Sequence, residues 1–236
     1  MRKIIITGAS SGIGKAIAIK LLNEGHHVSL GIRNLSILNG TSLDPRITTN
    51  NRLIINYYDA LDQGSERLWI DKTIEEFGNI DTIVHCAGIF KNTELIFPDE
   101  QLSEINELWK VNVLAPWFLT KLVWKYLEKD GKGRIQVLVS MSGKRSKGNL
   151  AGYSMTKFAL MGLCQTMRNE GWETGIRVTA ICPGWVNTKM SENVKAISKE
   201  KMTQPEDIAL ISSTLLKLPN SSIPFEIPIN CNLERC

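Results

Sequence analysis

The stretch Lys3-Ile4-Ile5-Ile6-Thr7-Gly8-Ala9-Ser10-Ser11-Gly12-Ile13-Gly14 decides the fold. Ile4 to Ile6 is short, β-branched and stops at Thr-Gly, the pattern of a strand buried in a parallel sheet. From Lys15 the spacing turns helical: Ile17, Leu21 and Leu22 share a face, and Gly25 closes the helix. Strand, glycine turn and helix in this order present backbone N–H groups at a helix N-terminus, where the macrodipole favours a phosphate. Gly8 permits the tight turn, Gly12 lets the backbone approach a pyrophosphate, and Gly14 lets the helix pack close to the strand. Ser10, Ser11 and Ile13 complete this dinucleotide cradle. The spacing is not GxGxxG, because three residues separate the first two glycines. Taken alone, it also describes a glycine turn with no ligand.

A second motif, Tyr153-Ser154-Met155-Thr156-Lys157, opens a helical pattern that runs through Phe158, Leu160, Met161, Leu163, Cys164 and Met167. Tyr153 and Lys157 are four apart and share a helix face. A free tyrosine titrates near about 10, too high for efficient proton transfer near neutrality, and an adjacent ammonium lowers that value. Lys157 is placed to do so. Ser140 follows the apolar run Ile135-Gln136-Val137-Leu138-Val139, so its hydroxyl can face the tyrosine across a cleft; Ser142 is the alternative. An isolated YxxxK equally decorates a solvated helix face.

Together these motifs give the chain a resemblance to the short-chain dehydrogenase/reductase family, from Arg2 to about Ala209. Thr7 to Gly14 matches the family's TGxxxGxG. His85-Cys86-Ala87-Gly88 stands where the family has NNAG, with His85 and Cys86 replacing the two asparagines. Asn112 matches the active-site asparagine, and Ser140, Tyr153 and Lys157 match the catalytic serine, tyrosine and lysine. Cys182-Pro183-Gly184-Trp185-Val186-Asn187-Thr188 matches the PG segment after the sixth strand. The resemblance implies a Rossmann-like doubly wound parallel sheet in a three-layer α/β/α single domain. It implies hydride transfer between a nicotinamide and a carbonyl or secondary alcohol. Tyr153 acts as general acid or base, Ser140 bonds the carbonyl oxygen, and Lys157 tunes the tyrosine and holds the ribose. Asn112 positions a water that links Lys157 to solvent. Cys86, Ala87, Gly88, Pro183, Gly184, Val186 and Thr188 join the glycine loop, Tyr153 and Lys157 around the cofactor. Asp59 accepts from the adenine amine, and Ala60 lines the adenine slot. The long helices pair across a two-fold axis into a homodimer or homotetramer, with Trp117, Trp124, Leu160 and Met161 as its apolar surface.

Cofactor choice turns on the end of the second strand. The family places an acidic residue there to bind the ribose hydroxyls; this chain has Ile32-Arg33. An arginine can pair with a 2′-phosphate, which favours NADP(H), with NAD(H) as the alternative. Two rival functions keep the fold but change the outcome: a non-catalytic dinucleotide-binding redox sensor, and an epimerase or dehydratase that retains NAD. The intact Ser140, Tyr153 and Lys157 argue against the first, and the short C-terminal region argues against the second.

The chain has 236 residues, 43% of them hydrophobic, and a net charge of +4 with no Lys/Arg cluster. That suits one α/β domain acting on a small molecule, with no nucleic-acid partner. The 5 cysteines form no CxxC and read as reduced, in a cytoplasmic setting. No signal peptide and no membrane-spanning apolar run is expected, and no His/Cys cluster points to a metal. Strands are expected at 3–7, 27–32, 52–56, 81–85, 134–140, 176–182 and 225–230, and helices at 13–24, 64–77, 101–128, 152–171 and 205–217. A broken helix and loop are expected between Leu35 and Asn51. Pro116 should kink the long helix near Asn112. Pro224 and Pro228 demote the last strand to an edge. Residues 190–204 are polar and read as a mobile lid. Phe90, Met141, Asn149 and Trp185 are expected in the substrate walls, Trp185 serving there or as a packing anchor. His85 reads as a structural histidine.

Overall fold

The computed structural model describes residues 1–44, 46 and 51–231. The isoleucine run becomes β1 (Lys3–Thr7), and α1 (Gly12–Asn23) follows the glycine turn. The remaining strands are β2 (His27–Ile32), β3 (Leu53–Tyr57), β4 (Thr82–His85), β5 (Arg134–Leu138), β6 (Arg177–Pro183) and β7 (Glu226–Ile229). Between them lie α2 (Ser65–Phe77), α3 (Leu102–Trp109), α4 (Ala115–Leu127), α5 (Ala151–Gly171) and α6 (Pro205–Lys217). The strands form one sheet in the order β3-β2-β1-β4-β5-β6-β7, with every neighbouring pair parallel.

Alternation along the strands assigns side chains to the two faces. Ile4 and Ile6 pack with Ile17, Leu21, Ile208 and Leu215, so α1 and α6 cover one face. Ile5 packs with Trp69, Leu119, Val123 and Leu160, so α2, α4 and α5 cover the other. All three isoleucines are fully buried, and each such side chain contributes roughly 1.5–3 kcal/mol of transfer free energy. Two layers of helix around one parallel sheet are the three-layer single domain expected from the strand–helix alternation. Glu24 ties α1 to α6: it accepts from the Ser213 hydroxyl at 2.7 and 2.8 Å and pairs with Lys217 at 3.0 Å and Lys20 at 3.1 Å. Burial pushes its carboxyl up, but these donors outweigh burial and bring it down to about 2.

Two departures from the expected elements have local causes. The expected helix at 101–128 is α3 and α4 joined by a π-helical turn, Lys110–Leu114. Pro116 has no N–H to give the Asn112 carbonyl four residues earlier, so the ladder widens there. The fifth strand stops at Leu138, two residues before Ser140, whose φ of 149° is outside strand geometry. The weak last strand does form: Pro228 sits on the sheet edge, where its missing N–H breaks no ladder bond to a further strand. Of the broken helix expected after Leu35, a turn at Leu35–Leu38 is present; Pro45, residues 47–50 and residues 232–236, with Cys236, lie outside the described residues. No helix among the described residues is long and apolar enough to cross a membrane.

Candidate active site

The strand order reverses direction between β1 and β4, which opens a crevice at the carboxyl ends of the strands. The glycine loop forms one wall. Gly8 has φ +67°, and a Cβ there would lie 2.7 Å from the Ala87 nitrogen. A Cβ on Gly14 would lie 2.4 Å from the Gly8 carbonyl oxygen, so only glycine lets α1 sit this close to its own loop. Ser11, the exposed N-cap of α1, makes no side-chain cap, and the first turn holds no acidic residue. Among the described residues, the first N–H groups of α1 therefore have no side-chain acceptor. Thr188 Cγ2 lies 3.1 Å from where a Cβ on Gly12 would stand. The Thr7 hydroxyl accepts from the N–H groups of Cys86 at 3.1 Å and Ala87 at 3.0 Å, which fixes the segment after β4 against the glycine loop.

Beyond Gly88 the crevice deepens into a cleft. Asn112, 1% exposed, accepts from the Ile89 N–H at 2.9 Å and donates to the Ile89 carbonyl at 3.0 Å and to Thr156 Oγ1 at 3.2 Å. Its side chain is fully used in pinning this loop to α5. Thr93 sets the start of α5, its hydroxyl accepting from the Gly152 N–H at 3.0 Å and its carbonyl from the Ala151 N–H at 2.8 Å. Tyr153 and Lys157 then project into the cleft from the first turns of α5, and Ser140, Ser142, Met141, Phe90 and Trp185 line it with them.

Ser140 caps a short turn at Met141–Gly143, and its Oγ accepts from the Ser142 N–H at 3.0 Å. Ser140 and Tyr153 line the cleft together, and the Ser140 hydroxyl favours the tyrosine's charged form. Phe90 packs edge-to-face on the tyrosine ring, centroids 5.0 Å apart. Lys157 Nζ donates to the Leu138 carbonyl at 3.0 Å and lies 5.7 Å from the centroid of the Tyr153 ring. Burial governs both groups. It pushes the Tyr153 phenol up to about 12, against the opposing pull of the Ser140 hydroxyl. It pushes the Lys157 ammonium down to about 8. In the protein alone, then, the tyrosine is raised rather than lowered as expected, and the lysine is not among the causes of its shift. The ammonium is engaged by Leu138, and desolvation disfavours charge on both partners.

A family model for short chain dehydrogenase matches residues 2–199. The chain belongs to the short-chain dehydrogenase/reductase family. An agropine synthesis reductase of Rhizobium rhizogenes is 36% identical over 231 residues, 98% of this chain and 53% of that protein. This family member thus spans about half the length of that curated relative. Dehydrogenase/reductase SDR family member 4 of Caenorhabditis elegans is 32% identical over 212 residues, 87% of this chain and 80% of that one. Among solved structures, an alcohol dehydrogenase from the archaeon Thermococcus sibiricus, complexed with 5-hydroxy-NADP, aligns with TM-score 0.86 at 28% identity, covering 99% of this chain and 98% of that one.

Of the residues expected at the site of this short-chain dehydrogenase/reductase, Ile13, Cys86, Gly88, Ser140, Tyr153, Lys157, Pro183, Gly184, Val186 and Thr188 line the cleft together. Arg33, Asp59 and Ala60 do not line it. They follow the carboxyl ends of β2 and β3, whose last paired residues are Ile32 and Tyr57. Arg33 is exposed, and no carboxylate among the described residues forms an ion pair with it. One oxygen of the Asp59 carboxylate accepts from the Leu61 N–H at 3.0 Å, so part of its capacity is used within its own loop. Asn149 is exposed with φ 53° and is absent from the cleft wall; Leu150 takes that place. Trp185 lines the cleft and also packs on a small cluster of Ile197, Met202 and Cys231. That cluster, with the bonds Thr203 N to Trp185 O at 3.1 Å and Asn187 N to Thr203 O at 2.9 Å, anchors the 190–204 segment; only Met190 and Ser191 of it reach the cleft. His85 Nε2 bonds the Thr120 hydroxyl at 2.8 Å, and burial pushes the ring down to about 3, a neutral structural histidine. Arg145 and Lys147, which no sequence signal marked, also line the cleft.

Proposed function

We propose that this chain is an NADP(H)-dependent oxidoreductase that interconverts a carbonyl and a secondary alcohol. The observation that carries this reading is that Ser140, Tyr153 and Lys157 line one wall of a cleft that continues to Ile13 in the glycine loop. The dinucleotide fits this chain: the N-terminus of α1 has no side-chain cap, and Gly8 and Gly14 let the loop pack tightly enough on Ala87 and on itself to present that N-terminus to a pyrophosphate. Ser10, Ser11 and Ile13 complete that cradle, with Cys86, Ala87, Gly88, Pro183, Gly184, Val186 and Thr188 beyond it. Arg33 supports NADP(H) over NAD(H), as does the 5-hydroxy-NADP in the Thermococcus sibiricus relative. Asp59 and Ala60 would hold the adenine.

The bound nicotinamide supplies or accepts the hydride. For reduction, Tyr153 gives its proton to the carbonyl oxygen as negative charge develops there. Ser140 already accepts from the Ser142 N–H, so its own proton is left to donate to Tyr153 or to the substrate oxygen. Lys157, an ammonium in a nearly dry site, stabilises the phenolate left behind and reaches toward the ribose. Asn112 holds the loop that carries Ile89, and its backbone carbonyl, deprived of a Pro116 N–H, is the group that positions a relay water. Oxidation runs these proton movements in reverse. The free cysteines Cys86, Cys164, Cys182 and Cys231 suit a reducing, cytoplasmic compartment.

We also propose a homodimer or tetramer built on α4 and α5. Leu160 and Met161 prove to be buried within the subunit, 3% and 8% exposed, whereas Trp117, Phe118, Met155 and Phe158 are about half exposed and supply the outward apolar surface. A monomeric mass by light scattering at micromolar concentration would contradict it. The test of the chemistry is Tyr153→Phe. Turnover of a carbonyl panel should vanish while NADPH affinity stays near wild type. Wild-type turnover by Tyr153→Phe refutes the assignment, and a wild-type protein that binds NADPH but never oxidises it refutes catalysis.

A further inference from the structure

The cleft is poor in side-chain acceptors. Among the described residues, no aspartate, glutamate, asparagine or glutamine lines it, and its side-chain oxygens are all hydroxyls. Ser191 Oγ is used within its own turn, bonded to the Val186 and Thr188 carbonyls and to the Thr188 N–H. Of the cations on the wall, Lys157 donates to the Leu138 carbonyl, and Arg145 and Lys147 already interact within the protein. Around Ser140 and Tyr153 the wall is apolar. Phe90 packs edge-to-face on the Tyr153 ring, Met141 follows Ser140 directly, and Leu150 stands three residues before the tyrosine. Trp185, backed by Ile197, Met202 and Cys231, and the half-exposed Met190 line the cleft with them. Leu150 is the residue that precedes the first turn of α5, and it gives the helix no side-chain cap. Serine, threonine, aspartate or asparagine is favoured at such a position. This chain places a leucine there, in the cleft wall.

We infer that the substrate is a neutral carbonyl compound bearing an apolar group, an aromatic ring above all, that seats against Phe90, Leu150 and Trp185. The inference rests on the oxidoreductase reading above and names the substrate class for that site. A polyol brings hydroxyl donors that need acceptors, and an ammonium needs a carboxylate; this wall has no carboxylate or amide side chain to offer either. An anion would compete with the interactions that Arg145 and Lys147 already make. An aromatic group loses only apolar hydration on entering, and contacts with the Phe90 and Trp185 rings and the Met141 sulfur add to its burial. Seated there, such a substrate has its carbonyl oxygen as the one polar group to satisfy, and Ser140 and Tyr153 are the donors for it.

The test uses the full chain with NADPH and four ketones built on one core: butan-2-one, 4-phenylbutan-2-one, 4-oxopentanoate and 1,3,4-trihydroxybutan-2-one. Burying the phenyl ring should raise kcat/KM by about 10- to 100-fold over butan-2-one. The carboxylate and the triol should do no better than butan-2-one. Trp185→Leu keeps the wall apolar but removes the ring face, and should cut the advantage of the phenyl ketone about 2- to 10-fold. Leu150→Asp removes part of the apolar wall while supplying a favoured residue at the start of α5, so the advantage should shrink in a protein with wild-type circular dichroism. Where Leu150→Asp does not fold, Trp185→Leu decides. The inference is overturned if the carboxylate or the triol is the best of the four, if the phenyl ring gives no advantage, or if either variant is folded and keeps the wild-type ratio. A protein that binds no NADPH, or reduces none of the four, overturns the oxidoreductase reading itself and the inference with it.

Discussion

Gly14→Ala tests how closely the nucleotide cradle depends on one missing methyl. The new Cβ would stand 2.4 Å from the Gly8 carbonyl oxygen, 2.8 Å from the Gly8 carbonyl carbon and 3.1 Å from the Ala9 Cα. All three are backbone atoms, so no side chain can swing aside; the loop or the helix must move by several tenths of an ångström. Gly14 lies inside α1 and Gly→Ala there gains up to about 1 kcal/mol of helix propensity. Overpacking costs about 1–3 kcal/mol, so the net loss of stability is small, about 0–2 kcal/mol, or a few degrees in Tm for a chain of this size. The larger effect falls on ligand binding. The Gly8–Gly12 backbone must hold its N–H groups at hydrogen-bond distance from phosphate oxygens, and each such charge-assisted bond is worth about 1.5–3 kcal/mol. Losing one should weaken NADPH binding roughly tenfold to a hundredfold, read by fluorescence titration, with far-UV circular dichroism unchanged. Gly12→Ala is the comparison: its Cβ meets only the Thr188 methyl at 3.1 Å, although its φ of +52° adds strain. NADPH affinity at the wild-type level in Gly14→Ala would show that the loop is not the phosphate site.

Further predictions follow from single groups. Arg33→Ala should weaken NADPH roughly ten- to hundredfold and leave NADH nearly untouched; equal affinity of the wild type for both cofactors would remove the basis for it. Glu24, held near about 2 against an ordinary 4.5, contributes stability that is present above about pH 4.5 and lost as pH falls through 2. Glu24→Gln should therefore melt lower at pH 7, by about 1–3 kcal/mol, with the gap closing in acid; a pH-independent gap argues against the carboxylate as the cause. Lys157 carries the opposite sign: the folded state binds its proton less well than the unfolded chain, so its ammonium costs stability below pH 8, and that cost is relieved between about 8 and 10.5. Lys157→Met should be inactive and yet melt no lower than wild type at pH 7, any advantage fading as pH rises above 8; a large destabilisation at pH 7 would count against a strained ammonium.

The sheet was legible because parallel strands write themselves as short β-branched runs, and the glycine turns mark where each ends. Ile4 to Thr7 needed no tertiary information, since burial on both faces leaves one reading. Asn112 shows the limit. Its position was marked by the family motif, but its hydrogen bonds reach Ile89 and Thr156, residues whose proximity depends on the whole path from β4 to α5. Arg145 and Lys147 were invisible for a related reason: in sequence they are two cations of a polar loop, and only the turn capped by Ser140 directs them to the cleft. Leu160 and Met161 were misplaced outward because period alone gives a helix a stripe, not the stripe's direction. Arg33 and Asp59 were read from strand ends, and strand ends fix the edge of the sheet without fixing which side chains meet across it.

The groups assigned to proton transfer are those that folding alone would not choose. Ser140 holds φ at 149° without being glycine, a conformation that costs about 1–3 kcal/mol. Lys157 is 5% exposed with one carbonyl acceptor at 3.0 Å, and Tyr153 is 8% exposed against Phe90. Such choices persist only where the surroundings over-determine them. Here the surroundings are specific: Thr93 sets the first turn of α5, Asn112 pins the opposite loop to Thr156 one residue before Lys157, and the Ser142 N–H fixes the Ser140 oxygen. If those supports exist to hold the strained constellation, removing one should harm chemistry more than folding. Thr93→Val, which keeps the shape and removes the acceptor of the Gly152 N–H, should lower kcat through a shifted Tyr153 while NADPH affinity holds. An equal fall in both would mean that Thr93 serves only the helix.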